Sequence, residues 1–387
     1  MTQSSTNRQP SSDSLEQIIQ GFDQYQAEAK SIQAQYLENL EEVRREFSEF
    51  ATQQNFNSTD SEKEQKPSPE AEKLRSFWQK VIGTRHPVAE DLYMALYRRF
   101  VGGIILEDRA DFLALNGKPR LYLANHQVGI ESILFILFVS SLSDSVTNIL
   151  AKTEHQQSWM SKLFGYVYSY PQVKNPELIF YFQRDDPLSM LKLLNQIKNA
   201  IAEQGNSLMV HAEGTRLKNC RQPVTNLSAV FIDLALELNL PIIPVKFVGG
   251  LPVESVTERL EFPLGYTHQD YHLGKAIDPQ TLKSLGNLER KALILSKLNQ
   301  LGGNISTAVP NPPDLNFAQK VTRCQEQTQV AEIQAVFYEV LKEISNPTPE
   351  VKQLLLNIER KSLLAGKTPQ DRWVQKFSDW LTNNPSS

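Results

Sequence analysis

Apolar side chains recur near the amino end of the chain at Ile18, Phe22, Tyr25, Ala29, Ile32, Tyr36, Leu40, Val43, Phe47 and Phe50. The steps are mostly four and three, which lays them along one stripe of a helix, with a stutter between Tyr36 and Leu40. A stripe of this kind has to be covered. Its aromatics suit packing on the chain's own domain, a small bundle, or self-association into a homo-oligomer. Residues 1–51 therefore read as a helical, coiled-coil-like segment. Residues 52–70, polar and carrying Pro67 and Pro69, read as a linker.

The helical period returns from Glu70 to Phe100, with Trp78, Val81, Tyr93, Leu96 and Tyr97 as core positions. Beyond it the pattern alternates. The runs RLYLAN (120–125), LIFYF (178–182), NSLMVHA (206–212) and PIIPVKFV (241–248) are short, apolar and rich in branched or aromatic residues, as buried strands require. Helical stretches lie between them at 187–205, where Gly205 has the placing of a C-cap, and at 227–239, where Ala229, Ile232, Leu236 and Leu240 share a face. The alternation predicts an α/β fold over residues 71–285, a central mixed, mostly parallel sheet flanked by helices, with helical N-terminal and C-terminal extensions. After HLGKAIDPQTL (272–282) the strand signal fades. Residues 286–387 read as three or four helices separated by GG, PNPP and NPTP.

Composition narrows the class. With 387 residues, 40% hydrophobic and 22% charged, the chain has enough apolar surface for a sizeable core plus accessory segments. The net charge of -4 is uneven: residues 1–75 hold 14 acids against 8 bases, leaving 30 acids against 32 bases elsewhere. A nearly neutral remainder offers no electrostatic footprint for nucleic acid, so none is expected as a partner. The longest apolar run, ILFILFV (133–139), is far short of the roughly twenty residues a membrane-spanning helix needs. The N-terminus lacks the apolar region of a secretory signal, so the expected place is the cytoplasm, with peripheral contact at the inner face of a membrane. Cys220 and Cys324 read as ordinary thiols of a reducing compartment, and no metal site is expected.

Candidate chemistry begins at LYLANHQVGIES (121–132). A strand ending at Ala124 delivers His126 to the C-terminal edge of a sheet, where open α/β folds place their ligands. The following helix starts near Val128 to Ser132, so its first turn can fold Glu131 back against the imidazole. A carboxylate on one ring nitrogen fixes the tautomer and raises the basicity of the other, which can then take a proton from a hydroxyl. By itself this spacing describes a helix-capping histidine and a solvated glutamate equally well. Further along, Arg184 in FYFQRDD and HAEGTR (211–216) also fall at strand ends. In the latter, Gly214 permits a tight turn, Thr215 supplies a hydroxyl, and Arg216 offers a planar fork suited to two phosphate oxygens. Glu213 can hold that arginine or orient backbone donors. Taken singly, both arginines read as surface ion-pair residues.

No G-x-S-x-G is present and neither cysteine has a histidine nearby in sequence, so nothing marks a covalent nucleophile. Backbone N–H groups near Gly129 are candidates for holding an oxyanion, although that glycine equally suits a turn. The run ILFILFV is buried core or the lining of an acyl groove. The aromatic stretch WMSKLFGYVYSY (159–170) either packs internally or rests at a bilayer interface.

Taken in order, NHQVGIES, YFQRDD, HAEGTR and LPIIPV resemble the four sequence blocks of the glycerolipid acyltransferase superfamily, which includes glycerol-3-phosphate and 1-acylglycerol-3-phosphate acyltransferases. HLGKAIDP is similar to the segment that closes the domain, so the likeness covers residues 100–285. The helical segment ahead of it is similar in layout to soluble, plastid-type glycerol-3-phosphate acyltransferases. The resemblance implies direct transfer of an acyl group from a thioester to an alcohol, without a covalent intermediate. It matches His126 to the catalytic base and Glu131 to the acid that orients it. It matches Arg184, Glu213, Gly214, Thr215 and Arg216 to acceptor-binding positions, with the arginines facing a phosphate. It implies no cofactor beyond acyl-CoA or acyl carrier protein as the donor. The implied acceptor is a lysophospholipid, 1-acylglycerol-3-phosphate, or else glycerol-3-phosphate or a neutral alcohol. A lapsed domain acting as a binding scaffold is the reading from another class.

Four positions depart from the family's commonest form. Glu131 stands for Asp, Gln183 stands where Asp precedes the arginine, and His211-Ala212 replace an aromatic and proline. LSA (227–229) replaces a lysine and glycine, which removes an expected cation.

Overall fold

A computed structural model describes residues 69–183, 186–266, 268–303, 314–360 and 368–383. The segment 1–51, nearly all of the linker after it, and Arg184 lie outside the described residues. All of the described residues fall within one compact unit.

Two helices open the described chain, α1 (Pro69–Ile82) and α2 (Pro87–Phe100). The sequence pattern runs them together, but Gly83, at φ +82°, breaks the first, and His86 caps the second by accepting the Ala89 N–H at Nδ1. Then come β1 (Val101–Leu106), α3 (Arg109–Ala114), β2 (Leu121–Ala124), α4 (Ile130–Ser143), β3 (Thr147–Lys152), α5 (Trp159–Tyr168), β4 (Ile179–Phe182), α6 (Pro187–Gln204), β5 (Ser207–His211), α7 (Ala229–Glu237), β6 (Ile242–Val248) and β7 (Gln269–Leu273). Gly205 ends α6 in the left-handed conformation at φ 69°, the placing read from the sequence.

The seven strands form one mixed sheet in the order β1-β7-β6-β2-β5-β3-β4. Five neighbours from β6 to β4 run parallel; β7 pairs antiparallel with β6 and parallel with β1. The four apolar runs became β2, β4, β5 and β6. The other three strands hid behind weaker signals: β1 holds two glycines, β3 (TNILAK) is polar at both ends, and β7 (QDYHL) is mostly polar yet buried at Gln269, Tyr271, His272 and Leu273.

Helix α4 is apolar on nearly all sides, and Ile133 to Leu137 and Val139 are buried. That run is core. Phe138 is half-buried and stacks on Tyr97, at 4.0 Å between ring centroids.

Beyond α8 (Pro279–Lys283) the described residues form five helices rather than three or four: α9 (Asn287–Gln300), α10 (Leu315–Thr328), α11 (Glu332–Lys342), α12 (Pro349–Arg360) and α13 (Pro369–Thr382). The break between α10 and α11 carries no glycine or proline; Gln329 makes it in the left-handed conformation, at φ 59°. These helices cover the aromatic stretch of α5. Trp373 Nε1 donates to the Tyr166 carbonyl at 2.8 Å, Tyr166 stacks on Trp380 at 5.1 Å, and Trp159 packs against Phe262 and Phe337. Those rings are occupied by internal packing. Among the described residues no helix is long and apolar enough to cross a membrane.

Candidate active site

Strands β2 and β5 are parallel neighbours, and their register sets Ala124 opposite His211. Each then releases its chain at the same edge of the sheet. The side chain of Asn125 extends the ladder by one rung: its Nδ2 donates to the Phe247 carbonyl at 2.9 Å, and its Oδ1 accepts the Phe247 N–H at 2.7 Å. The lip of β2 is thereby clamped to β6, and the next residue is His126.

The first turn of α4 folds Glu131 back onto that histidine. His126 Nδ1 lies 2.7 Å from Glu131 Oε1. The same oxygen accepts the Gln127 N–H at 2.7 Å, while Oε2 accepts the Val128 N–H at 3.2 Å and Gln269 Nε2 at 2.7 Å. Glu131 is fully buried. Burial pushes its carboxyl above the ordinary value, and the charge interaction with His211 and the bonds from Gln269, Gln127 and Val128 oppose the rise. Three of the four partners can only donate, and the site sits at a helix N-terminus, so the arrangement suits a carboxylate. His126 must then carry its proton on Nδ1, which leaves Nε2 as a lone pair.

Two influences keep that imidazole uncharged. Burial, followed by the Arg216 guanidinium, holds His126 well below the usual histidine range. His211 stacks on it, with centroids 3.6 Å apart and planes at 11°. His211 donates from Nδ1 to the Asn125 carbonyl at 2.7 Å and accepts the Ser132 hydroxyl at Nε2 at 2.8 Å, so its tautomer is fixed as well. Burial pulls it down to about 3, and it stands as a neutral ring clamped against the base.

Residues 106–248 match the family model described as Acyltransferase. That stretch is an acyltransferase domain. No curated protein matches the chain.

His126 and His211 open onto a cavity of about 830 Å³ at the edge of the acyltransferase domain's sheet. One wall is apolar, with Ile149, Ile179, Phe182 and Phe231; another brings Glu213, Gly214, Thr215 and Arg216 beside His126. The sequence-derived candidates that fall among the described residues thus meet in one place. Their roles there differ in part from the expectation. Glu213 does not hold Arg216. Its Oε1 accepts the Thr225 N–H at 3.2 Å, the backbone-orienting alternative, and its buried Oε2 has no hydrogen-bond partner among the described residues.

Arg216 is instead spent on Glu261. Nη1 donates to Glu261 Oε1 and to the Leu260 carbonyl, both at 2.8 Å, and Nη2 donates to Glu261 Oε2 at 3.2 Å. Trp159 Nε1 donates to the same carboxylate at 2.8 Å. Burial, the largest single influence, raises the Glu261 carboxyl, but the bonds and charge of Arg216 together with the Trp159 bond and His126 leave the group below its ordinary value.

The backbone donors near Gly129 are committed too. Gly129 N–H goes to the Leu260 carbonyl at 3.1 Å and Ile130 N–H to that of Glu261 at 2.9 Å, while Gln127 and Val128 serve Glu131. They are not available as an oxyanion hole. Gly129 is needed for space rather than for a turn: its φ is an ordinary -65°, but a Cβ there would lie 2.1 Å from Glu261 Oε2 and 3.0 Å from Arg216 Nη2.

His126, Glu131 and His211 bring potential metal ligands within 4.8 Å of one another. With the two rings stacked, their nitrogen lone pairs lie in nearly parallel planes, and both nitrogens of His211 are already bonded. The cluster serves proton handling better than coordination.

Sequence reasoning missed Glu261, Arg259 and Gln269, and it noticed His211 only as a departure from a pattern. The first three lie beyond residue 248, where the family match ends. QDYHL is a mostly polar run whose burial only the structure shows, so the sequence carried no signal for Gln269.

Proposed function

We propose that the chain transfers a fatty acyl group from an acyl thioester, acyl-CoA or acyl carrier protein, to the hydroxyl of a glycerolipid precursor, with 1-acylglycerol-3-phosphate the first acceptor to test. The observation that carries this is the His126–Glu131 pair: a neutral imidazole whose Nδ1–H is held by a buried carboxylate 2.7 Å away, at a cavity large enough for a chain and a headgroup.

In the proposed step His126 Nε2 removes the acceptor's hydroxyl proton as that oxygen attacks the thioester carbonyl. The C–S bond breaks and the thiolate leaves, to be protonated by the imidazolium. Glu131 stabilises the transient positive charge through Nδ1–H. Oε2 of Glu213, without a partner among the described residues, is a ready acceptor for a second hydroxyl of the acceptor molecule. A neutral alcohol is the second reading, favoured by the closure of Arg216 by Glu261 and by the missing lysine at 227–229.

The test is purified protein with labelled acyl thioesters and a panel of phosphorylated and neutral acceptors. Wild type should transfer to at least one glycerolipid acceptor, and His126→Ala should not. Equal transfer by His126→Ala removes the proposed base.

A further inference from the structure

The reading above expects cations for an anionic acceptor; of the two arginines expected to supply them, Arg184 lies outside the described residues and Arg216 is already neutralised by Glu261. The Arg216 fork holds both oxygens of Glu261 and a main-chain carbonyl, which is the bonding of a strut that ties the loop after β5 to the loop after β6, itself held to the start of α4 by the Gly129 and Ile130 N–H groups. Those bonds use three of the five N–H donors of Arg216, and Glu261 balances its charge. The loop after β6 carries a guanidinium of its own. Arg259 is exposed and lines the cavity with His126, and its one hydrogen bond among the described residues runs from Nη2 to Thr215 Oγ1, at 3.3 Å. Its charge reaches the base, because it is among the groups that hold His126 down. Lys291, from α9, lines the cavity as well.

We propose that Arg259, steadied by Thr215 and assisted by Lys291, receives the anionic group of the acceptor, while Arg216 and Glu261 are positioning residues that build the loop presenting it. This rests on the acyl-transfer reading for the identity of the acceptor, but not for the binding event. The ligand chemistry is a phosphomonoester. A guanidinium with one neutral partner keeps most of its donors free for such a group, whereas one already paired with a carboxylate does not. Thr215, matched by sequence to acceptor binding, then acts through Arg259.

The experiment has two arms on the full chain. In the first, binding of glycerol-3-phosphate and of inorganic phosphate is followed by calorimetry, and by tryptophan fluorescence because Trp159 lines the cavity, with no acyl donor present. Arg259→Gln should weaken glycerol-3-phosphate tenfold or more, and Arg259→Lys should restore part of it. In the second, kcat and KM are measured with 1-acylglycerol-3-phosphate, glycerol-3-phosphate and a neutral monoacylglycerol. Arg259→Gln should cut the anionic-to-neutral ratio of kcat/KM at least tenfold, through KM.

The proposal is overturned if Arg259→Gln binds the phosphate compounds as wild type does, if it lowers anionic and neutral acceptors alike, or if wild type binds no phosphomonoester. Comparable loss with the soluble and the acylated phosphate assigns recognition to the phosphate itself, as proposed. Loss with the acylated one alone assigns Arg259 to the chain and counts against it. If no acyl transfer occurs in any arm but Arg259→Gln still abolishes phosphate binding, the acyl-transfer reading fails and this site stands.

Discussion

Replacing Glu131 by glutamine tests the centre of the mechanism with little change in shape. The carboxylate accepts two donors on each oxygen: His126 Nδ1 and Gln127 N–H on one, Val128 N–H and Gln269 Nε2 on the other. An amide has one acceptor oxygen, so its NH2 must face one of these pairs. Turned toward Val128 and Gln269, it leaves a buried backbone N–H unmatched, which costs about 1–3 kcal/mol, offset in part because no charge is now buried. Turned toward His126, it also forces Nδ1 to accept, which moves the ring proton to Nε2 and removes the base. Either way the imidazolium formed in the proposed step loses its counter-charge. A positioned general base contributes roughly 10²–10⁴-fold, so kcat should fall by that factor, about 3–5 kcal/mol of barrier. The assay is thiol release from an acyl-CoA in the presence of acceptor, with thermal unfolding monitored in parallel. A Glu131→Gln protein that melts within a few degrees of wild type and turns over within threefold of it would refute the orienting role.

Three further outcomes follow from the same geometry. The base must be neutral to act, and His126 is held well below 6.5 by burial and Arg216, so kcat/KM should stay flat as pH falls from 7.5 to 6.5 and drop only below that; an acid limb centred at or above 6.5 contradicts it. Gly250→Ala, outside the cavity lining, places a Cβ 2.3 Å from Gln269 Nε2 and 2.6 Å from its Cδ, so it should push Gln269 off Glu131 and lower turnover, while Gln269→Ala in the same assay sets the limit of that loss. His211→Phe keeps a ring over His126, whereas His211→Ala removes it. A stacked pair is worth about 0.5–1.5 kcal/mol, so Ala should cost roughly 2–10-fold in kcat and Phe clearly less, with equal losses assigning the effect to the bonds with Ser132 and the Asn125 carbonyl, which both variants lose.

Much of the architecture was legible in the pattern of side chains. Strands buried on both faces must be apolar throughout, so β2, β5 and β6 announced themselves; β4, an edge strand, was legible from its aromatic and branched residues, and the helical period and Gly205 bounded α6. Of the three strands that escaped notice, β1 and β7 form one edge and its neighbour, where glycine and polar residues are tolerated and the periodic signal weakens, and β3, next to the other edge strand, is polar at both ends. The break at Gln329 was invisible because it depends on one residue's backbone conformation rather than on its type.

At the site, spacing alone determined that His126 and Glu131 share a strand end and the following turn. Such local geometry depends on a few dihedrals, which residue order constrains. Only the tertiary structure decided that His211 stacks on His126, because that contact depends on β5 inserting beside β2. It likewise decided that Glu261 takes Arg216, across 45 residues of chain, and that Arg259 remains open. Pairings between distant segments are selected by the packing of the whole sheet and its loops, and no short window of sequence carries that information.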